Sequence, residues 1–290
     1  MAAIPGADSR TLRTHRALAS AHTRIAARDS ATISTQVAVS QIAAPTGDER
    51  ERGEWFAARL RALGLRDARI DRAGNVVATR PGIEGLAPVL VCAHLDTVFA
   101  RDVQLTFRRD GHRVTGPGIG DNGRGLAAML AIAQEIDGRL VRTRRPIVFA
   151  ATTGEEGAGD LRGAKYLFSA LDEEPAAAIA LDGAGDERIV HKALGSRRYH
   201  IAYRGPGGHS WAAFGVPNAV HAAASAAAML ASLPLPRSPR TTLSVSRIGG
   251  GTSINSIPEE GWLEVDLRST SASVLDRFDR EIRIIVRASA

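Results

Sequence analysis

Ile147-Val148-Phe149-Ala150-Ala151-Thr152-Thr153-Gly154-Glu155-Glu156-Gly157 is the stretch on which the fold turns. The apolar run 147–151 reads as a buried β-strand, and the two glycines bracket a tight turn after its carboxyl end. Two adjacent glutamates in such a turn raise each other's pKa. A bound cation is the simplest compensation: one glutamate ligates it and the other acts as general base on a water that it activates. The plain alternative is a solvated acidic turn, because fold and site are separate inferences.

Outward from that turn, further segments carry the same signature. Val89-Leu90-Val91-Cys92-Ala93 is a β-rich run that ends in His94-Leu95-Asp96. Residues two apart on a strand share a face, so His94 can bind a metal while Asp96 stands behind it and fixes the imidazole tautomer. Gly116-Pro117-Gly118-Ile119-Gly120-Asp121-Asn122-Gly123 opens a helical pattern over about 126–136, and a carboxylate at Asp121 can bridge two cations. Gly118, Gly120 and Gly123 also satisfy G-x-G-x-x-G. A dinucleotide loop needs a proper strand before it and a pyrophosphate over the helix start. Only Arg113-Val114-Thr115 precedes it, and Asp121 would set a carboxylate where phosphate belongs, so that reading is set aside. Ala178-Ile179-Ala180-Leu181-Asp182-Gly183 is another apolar strand ending in a carboxylate, although a lone Asp-Gly is ordinarily a turn.

His94, Glu155, Glu156 and Asp182 each follow the carboxyl end of an expected strand. Helical patterns over about 126–136 and 163–171 lie between them. Strands alternating with helices imply an α/β fold with a mostly parallel mixed sheet flanked by helices. Sites in such sheets form beyond the carboxyl ends of the strands, so these residues are expected to converge. One His and three carboxylates suit zinc, with cobalt or manganese as alternatives.

The segments His94-Leu95-Asp96-Thr97-Val98, Gly120-Asp121-Asn122, Gly154-Glu155-Glu156-Gly157, Leu181-Asp182-Gly183, Gly205-Pro206-Gly207-Gly208-His209-Ser210 and Gly251-Thr252-Ser253-Ile254-Asn255-Ser256-Ile257-Pro258 follow one another in that order. In this the chain resembles the M20 family of metallopeptidases and amidohydrolases, over nearly its whole length. That family includes tripeptide aminopeptidases, glutamate carboxypeptidases, acetylornithine deacetylases and succinyl-diaminopimelate desuccinylases. The resemblance implies a zinc-peptidase-like catalytic domain with an inserted α+β, ferredoxin-like lid that mediates homodimerisation. It implies two Zn2+ ions, or Co2+ or Mn2+ in their place, and hydrolysis of an amide bond in a small peptide or N-acyl amino acid. In that family's terms His94 is a metal ligand with Asp96 behind it, Asp121 bridges the metals, Glu155 is the general base, Glu156 ligates one metal and Asp182 the other. His209 resembles the lid histidine that stabilises the oxyanion, often across a dimer interface. Asn255 and Arg268 resemble residues that hold a substrate carboxylate.

The chain also departs from that pattern. Members of the family ordinarily continue into a last metal-binding His, but no His follows His221 and the sequence stops at Ala290. His191, His200 and His221 are poor substitutes, since they lie in or near the lid. The expectation is a C-terminally truncated catalytic domain, a lid short of its last strand, and weakened metal binding. Two rival readings follow: an inactive remnant acting only through its dimerisation lid, and a binding module with structural metal. The second leaves Glu155 without a use.

With 290 residues the chain has room for two domains. The expected boundaries are a variable, disordered lead-in over 1–30, a catalytic domain over 31–193 and a lid over 194–290. Helical spacing is expected at 37–42 and 51–63, short strands over 65–77, and in the lid a strand–helix–strand–strand–helix order (199–203, 218–233, 241–247, 262–267 and 274–286). Aromatics are only 4% of residues, so small apolar side chains must fill much of the core. The net charge of +6 comes almost wholly from arginines scattered among acids, with no aromatic-interleaved basic run, which argues against a nucleic-acid partner. The single Cys92 excludes an internal disulfide framework and is expected as a buried thiol. No apolar run long enough to span a membrane occurs, and a cytoplasmic location is expected.

Overall fold

A computed structural model describes residues 15–111, 113–136, 141–171, 173–183, 188–191 and 194–290. The chain divides into two compact units, Met1–Asp186 and Glu187–Ala290.

The first unit begins with helices α1 (Arg16–Ala27), α2 (Asp29–Ser40) and α3 (Arg50–Ala62). The expected disordered lead-in is therefore corrected: its described part is helical. The anchor is electrostatic, because Arg24 and Arg28 meet the buried Glu135 carboxylate at 2.7 and 2.5 Å. An interior carboxylate demands such partners.

Strands β1 (Arg69–Ile70), β2 (Val76–Arg80) and β3 (Val89–His94) follow, then a hairpin of β4 (Arg108–Asp110) and β5 (Arg113–Thr115). Helix α4 (Gly125–Glu135), β6 (Ile147–Thr152), α5 (Arg162–Ser169) and β7 (Ala177–Ala180) complete the unit. The main sheet runs β1-β2-β6-β3-β7. β6, β3 and β7 are parallel, while β2 and β1 are antiparallel additions. β5 lies outside this sheet, so the glycine loop after it lacks the strand that a dinucleotide fold requires.

All six residues of β6 are buried because both faces of the sheet are covered there. On one face Val91 and Phe149 pack with Phe56 and Leu60 of α3 and Leu126 and Met129 of α4. On the other, Leu90, Val148 and Ala150 meet Leu167 of α5, with the half-buried Cys92 beside them. Burial also pushes the Cys92 thiol up to about 11. β7, an edge strand, is exposed at all four positions.

The second unit comprises β8 (Gly195–Arg204), β9 (Gly208–His209), α6 (Ala219–Ala231), β10 (Thr241–Gly250), β11 (Ser256–Ile257), β12 (Glu260–Ser269) and α7 (Ala272–Ala288). β10, β12 and β8 form an antiparallel sheet with β12 in the centre. Leu263, Val265 and Leu267 alternate inward along β12 and pack with Ala223 and Leu230 of α6 and Phe278 and Ile282 of α7. Asn218 caps α6 through the amides of Val220 and His221, and Ser271 caps α7 through Val274. The short β9–β11 ribbon was not foreseen; two-residue strands carry no periodicity to read. Among the described residues, no helix is long and apolar enough to cross a membrane.

Candidate metal centre

Register brings the first unit's site residues together. β3 and β6 pair in parallel with His94 opposite Thr152, so His94 and the turn after β6 leave the sheet side by side. β7 pairs with the other edge of β3, and the Leu181 amide donates to Cys92 O at 2.8 Å, which carries Asp182 to the same end. Asp121 arrives from the glycine loop ahead of α4. The fully buried Asn122 ties that loop to β7's exit: its Nδ2 donates to Leu181 O at 2.9 Å and its Oδ1 accepts from the Gly125 amide at 3.0 Å. Gly125 must lack a side chain here, because a Cβ would lie 2.3 Å from Leu181 O.

His94 is 3% exposed and is held through both ring nitrogens. Nδ1 lies 3.0 Å from the Asp96 backbone carbonyl and 3.6 Å from its carboxylate. Nε2 faces Asp121 Oδ1 at 2.8 Å and Asp182 Oδ1 at 3.3 Å. An Nδ1–H directed at the carbonyl leaves Nε2 as the ligating nitrogen. Ligand atoms of His94, Asp121 and Glu156 all lie within 4.8 Å of one another. This is the donor set, hard carboxylates with one imidazole, that holds a divalent cation.

The electrostatics are those of several carboxylates crowded around one imidazole. Burial disfavours a charged His94 ring, yet Asp182 and Asp96 outweigh it and hold the imidazole up at about 11. Burial raises the Glu155 carboxyl; His94 opposes this, while Asp182, Asp96 and Asp121 add to it. Glu156 is raised by burial and then by Asp121. Asp96 goes the other way: burial opposes its charge, but bonds from His94, the Glu155 and Glu156 amides and Thr46 keep it far below the usual carboxylate range. Its carboxylate accepts from those two amides at 3.0 Å each and from Thr46 Oγ1 at 2.9 Å. Asp96 therefore braces the glutamate turn as well as the histidine.

Sequence reading missed several supports. Arg52, 2% exposed, donates to Leu95 O at 2.6 Å and twice to Ile42 O, fixing the peptide between His94 and Asp96. Burial lowers its guanidinium to about 10, with Asp96 opposing. Asn75 Oδ1 accepts the Thr153 amide at 3.0 Å.

His209 and Asn255 lie together in the second unit. β9 pairs with β11 so that His209 sits opposite Ser256, and the Ser210 amide donates to Asn255 O at 3.0 Å. The Trp211 amide donates to His209 Nδ1 at 3.2 Å, which leaves the proton of the neutral ring on Nε2. Arg268 is not with them. It lies on the face of β12 away from the helices, bonded to Asp266 at 2.7 Å. β12 starts at Glu260, beside the ribbon's end; Arg268 is eight residues further on, or about 26 Å at ~3.3 Å per residue.

The comparisons with known proteins follow this geometry. Residues 75–206 match the model of peptidase family M28, and residues 192–290 match the peptidase dimerisation domain of the M20 type. A tripeptidase from Staphylococcus aureus superposes with a TM-score of 0.69 at 24% identity, covering 89% of this chain and 71% of that one. A Bacillus subtilis protein described as a dinuclear metal binding peptidase from the M20 family superposes with a TM-score of 0.58 at 15% identity, over 93% and 70%. The chain is thus similar to M20-type peptidases in fold, and its second unit matches their dimerisation domain. Among curated proteins, carboxypeptidase G2 from Pseudomonas is 29% identical over 199 residues. That alignment takes in 63% of this chain and 46% of the enzyme, so the chain spans about half the length of this relative.

Proposed function

We propose that this chain acts as an M20-type metallopeptidase, hydrolysing an amide bond in a small peptide or N-acyl amino acid with two divalent metals, zinc in the first instance. The observation that carries this is the convergence of His94, Asp121 and Glu156, with Asp182 3.3 Å from His94, at the carboxyl ends of parallel strands. In this reading His94 and Asp182 would hold one metal and Glu156 the other, with Asp121 within reach of both. Bound there, the metals supply Lewis-acid activation of water and carbonyl.

The chain's own residues do the rest. Glu155, its carboxyl raised by burial, takes the proton of the attacking water and delivers it to the leaving amine nitrogen. Asp96 holds the Glu155 amide and stands beside His94, so base and ligand keep one geometry. His209 donates from Nε2 to the carbonyl oxygen as negative charge develops there. Asn255 stands beside it for a polar substrate group. One unit holds His209 in the short β9–β11 ribbon and Arg268 near the far end of β12, so one small substrate meets both only when two copies each supply one. This favours a homodimer joined through 194–290, with 31–193 as the catalytic part. The name carboxypeptidase G2 and the tripeptidase likeness favour substrates bearing a free carboxylate.

Replacing Glu155 with Gln tests the reading. Turnover of N-acyl amino acids and tripeptides is expected to fall by about 10³-fold or more, within the range for a lost general base, while zinc content stays unchanged. Retained activity removes Glu155 from the mechanism.

A further inference from the structure

Glu49 is a buried carboxylate, 4% exposed, that takes no part in the metal cluster. Its Oε1 accepts the amides of Gly47 at 2.9 Å and Gly154 at 3.1 Å. The Arg162 guanidinium donates to both of its oxygens, at 2.8 and 2.7 Å. Gly154 has φ of 62°, a left-handed conformation that a glycine adopts freely. Arg162 lies against it so closely that a Cβ at 154 would come within 2.3 Å of Nη1. Asp160 and Leu161, at φ 54° and 56°, turn the chain back to deliver Arg162 at the start of α5. Consecutive left-handed residues with side chains are disfavoured, and the Leu161 side chain is exposed, so no burial offsets its conformation. The next two amides after Gly154, those of Glu155 and Glu156, are the ones that Asp96 receives.

We propose that Glu49 and Arg162 are positioning residues for the Glu155–Glu156 turn: their ion pair locks Gly154, which seats the following two amides on Asp96 and so aims the base and its neighbouring metal ligand. The inference rests on the roles given above to Glu155 and Glu156. It involves residues 113 apart in sequence that touch neither metal nor substrate.

The test uses the full chain loaded with cobalt(II), in the variants Glu49→Gln, Arg162→Met and Arg162→Lys. For the first two, kcat is expected to fall about 10–100-fold with KM held within about twofold, the range for loss of an outer partner of a metal site. The visible absorption of the bound cobalt is expected to shift as Glu156 moves. Arg162→Lys restores part of the loss, since lysine keeps the charge but not the paired donors. In a Glu155→Gln background, Arg162→Met is expected to add less than its full single-variant loss, because the part that acts through Glu155 is already gone. Additive losses, or an unchanged cobalt spectrum in a folded Glu49→Gln protein, overturn the proposal. If Arg162→Met leaves too little folded protein, Glu49→Gln, which keeps an acceptor for both amides, decides the matter. Should the parent chain show no turnover, the hydrolytic reading fails by itself, and the cobalt spectra still decide whether the pair positions the turn.

Discussion

In the first unit, Asp96 is fully buried and takes three hydrogen bonds from Thr46 and the glutamate turn, while His94 is gripped at both nitrogens. In the second, His209 lies exposed on a two-residue strand, with the Trp211 amide on Nδ1. The aromatic rings around it, Trp211 and Phe214, are 88% and 89% exposed. The candidate metal ligands are thus assembled by long-range bonds inside one core. The histidine of the ribbon is placed only by local backbone, and substrate or a second copy must complete its surroundings. Preorganisation of the first kind costs folding energy in advance; the second defers that cost to binding.

Three substitutions sharpen this contrast. Asp96→Ala strips a buried acceptor from two amides and a hydroxyl. It is expected to destabilise the first unit by about 3–5 kcal/mol, as breaking a buried charge network does. Urea unfolding followed by Trp55 fluorescence measures it; a loss under 1 kcal/mol would mean that the network is not preorganised. His209→Ala is expected to leave the melting temperature unchanged and lower kcat about 10²-fold, the usual effect of losing one oxyanion donor. A large drop in melting temperature instead would make His209 a structural residue. Ser271→Ala removes the cap of α7 and is expected to cost about 1 kcal/mol in the second unit alone, with metal content unchanged. Altered metal content in that variant would show that the two units do not hold their sites separately.

How much of this was legible in the sequence follows the same division. His94, Asp121, Glu156 and Asp182 stood out because each follows an apolar strand or opens a helix, and parallel topology sends such ends to one place. The three long strands of the second unit were legible in the sequence, though each is longer than its apolar part: β8 runs over Gly195–Arg204, where polar residues occupy the outer face. Arg52 and Arg162 were not legible. Their partners, Leu95 and Glu49, lie 43 and 113 residues away, and only the three-dimensional register brings them together. A buried arginine in a helix looks, in sequence, like any solvated one. The α1 helix was missed for the same reason, since its anchor Glu135 lies beyond the reach of local pattern. Arg268 lies one residue beyond the strand expected over 262–267, and register sets it about 26 Å along β12 from Glu260, at ~3.3 Å per residue, a separation that no local pattern shows.

Metal stoichiometry decides whether the first unit assembles the proposed two-metal site. The purified chain, equilibrated with zinc and freed of loose ions, should carry about two zinc ions by elemental analysis, with Asp121→Ala reducing that number. One zinc or none in the parent chain would contradict the account, because His94, Asp121, Glu156 and Asp182 would then not suffice to hold the pair.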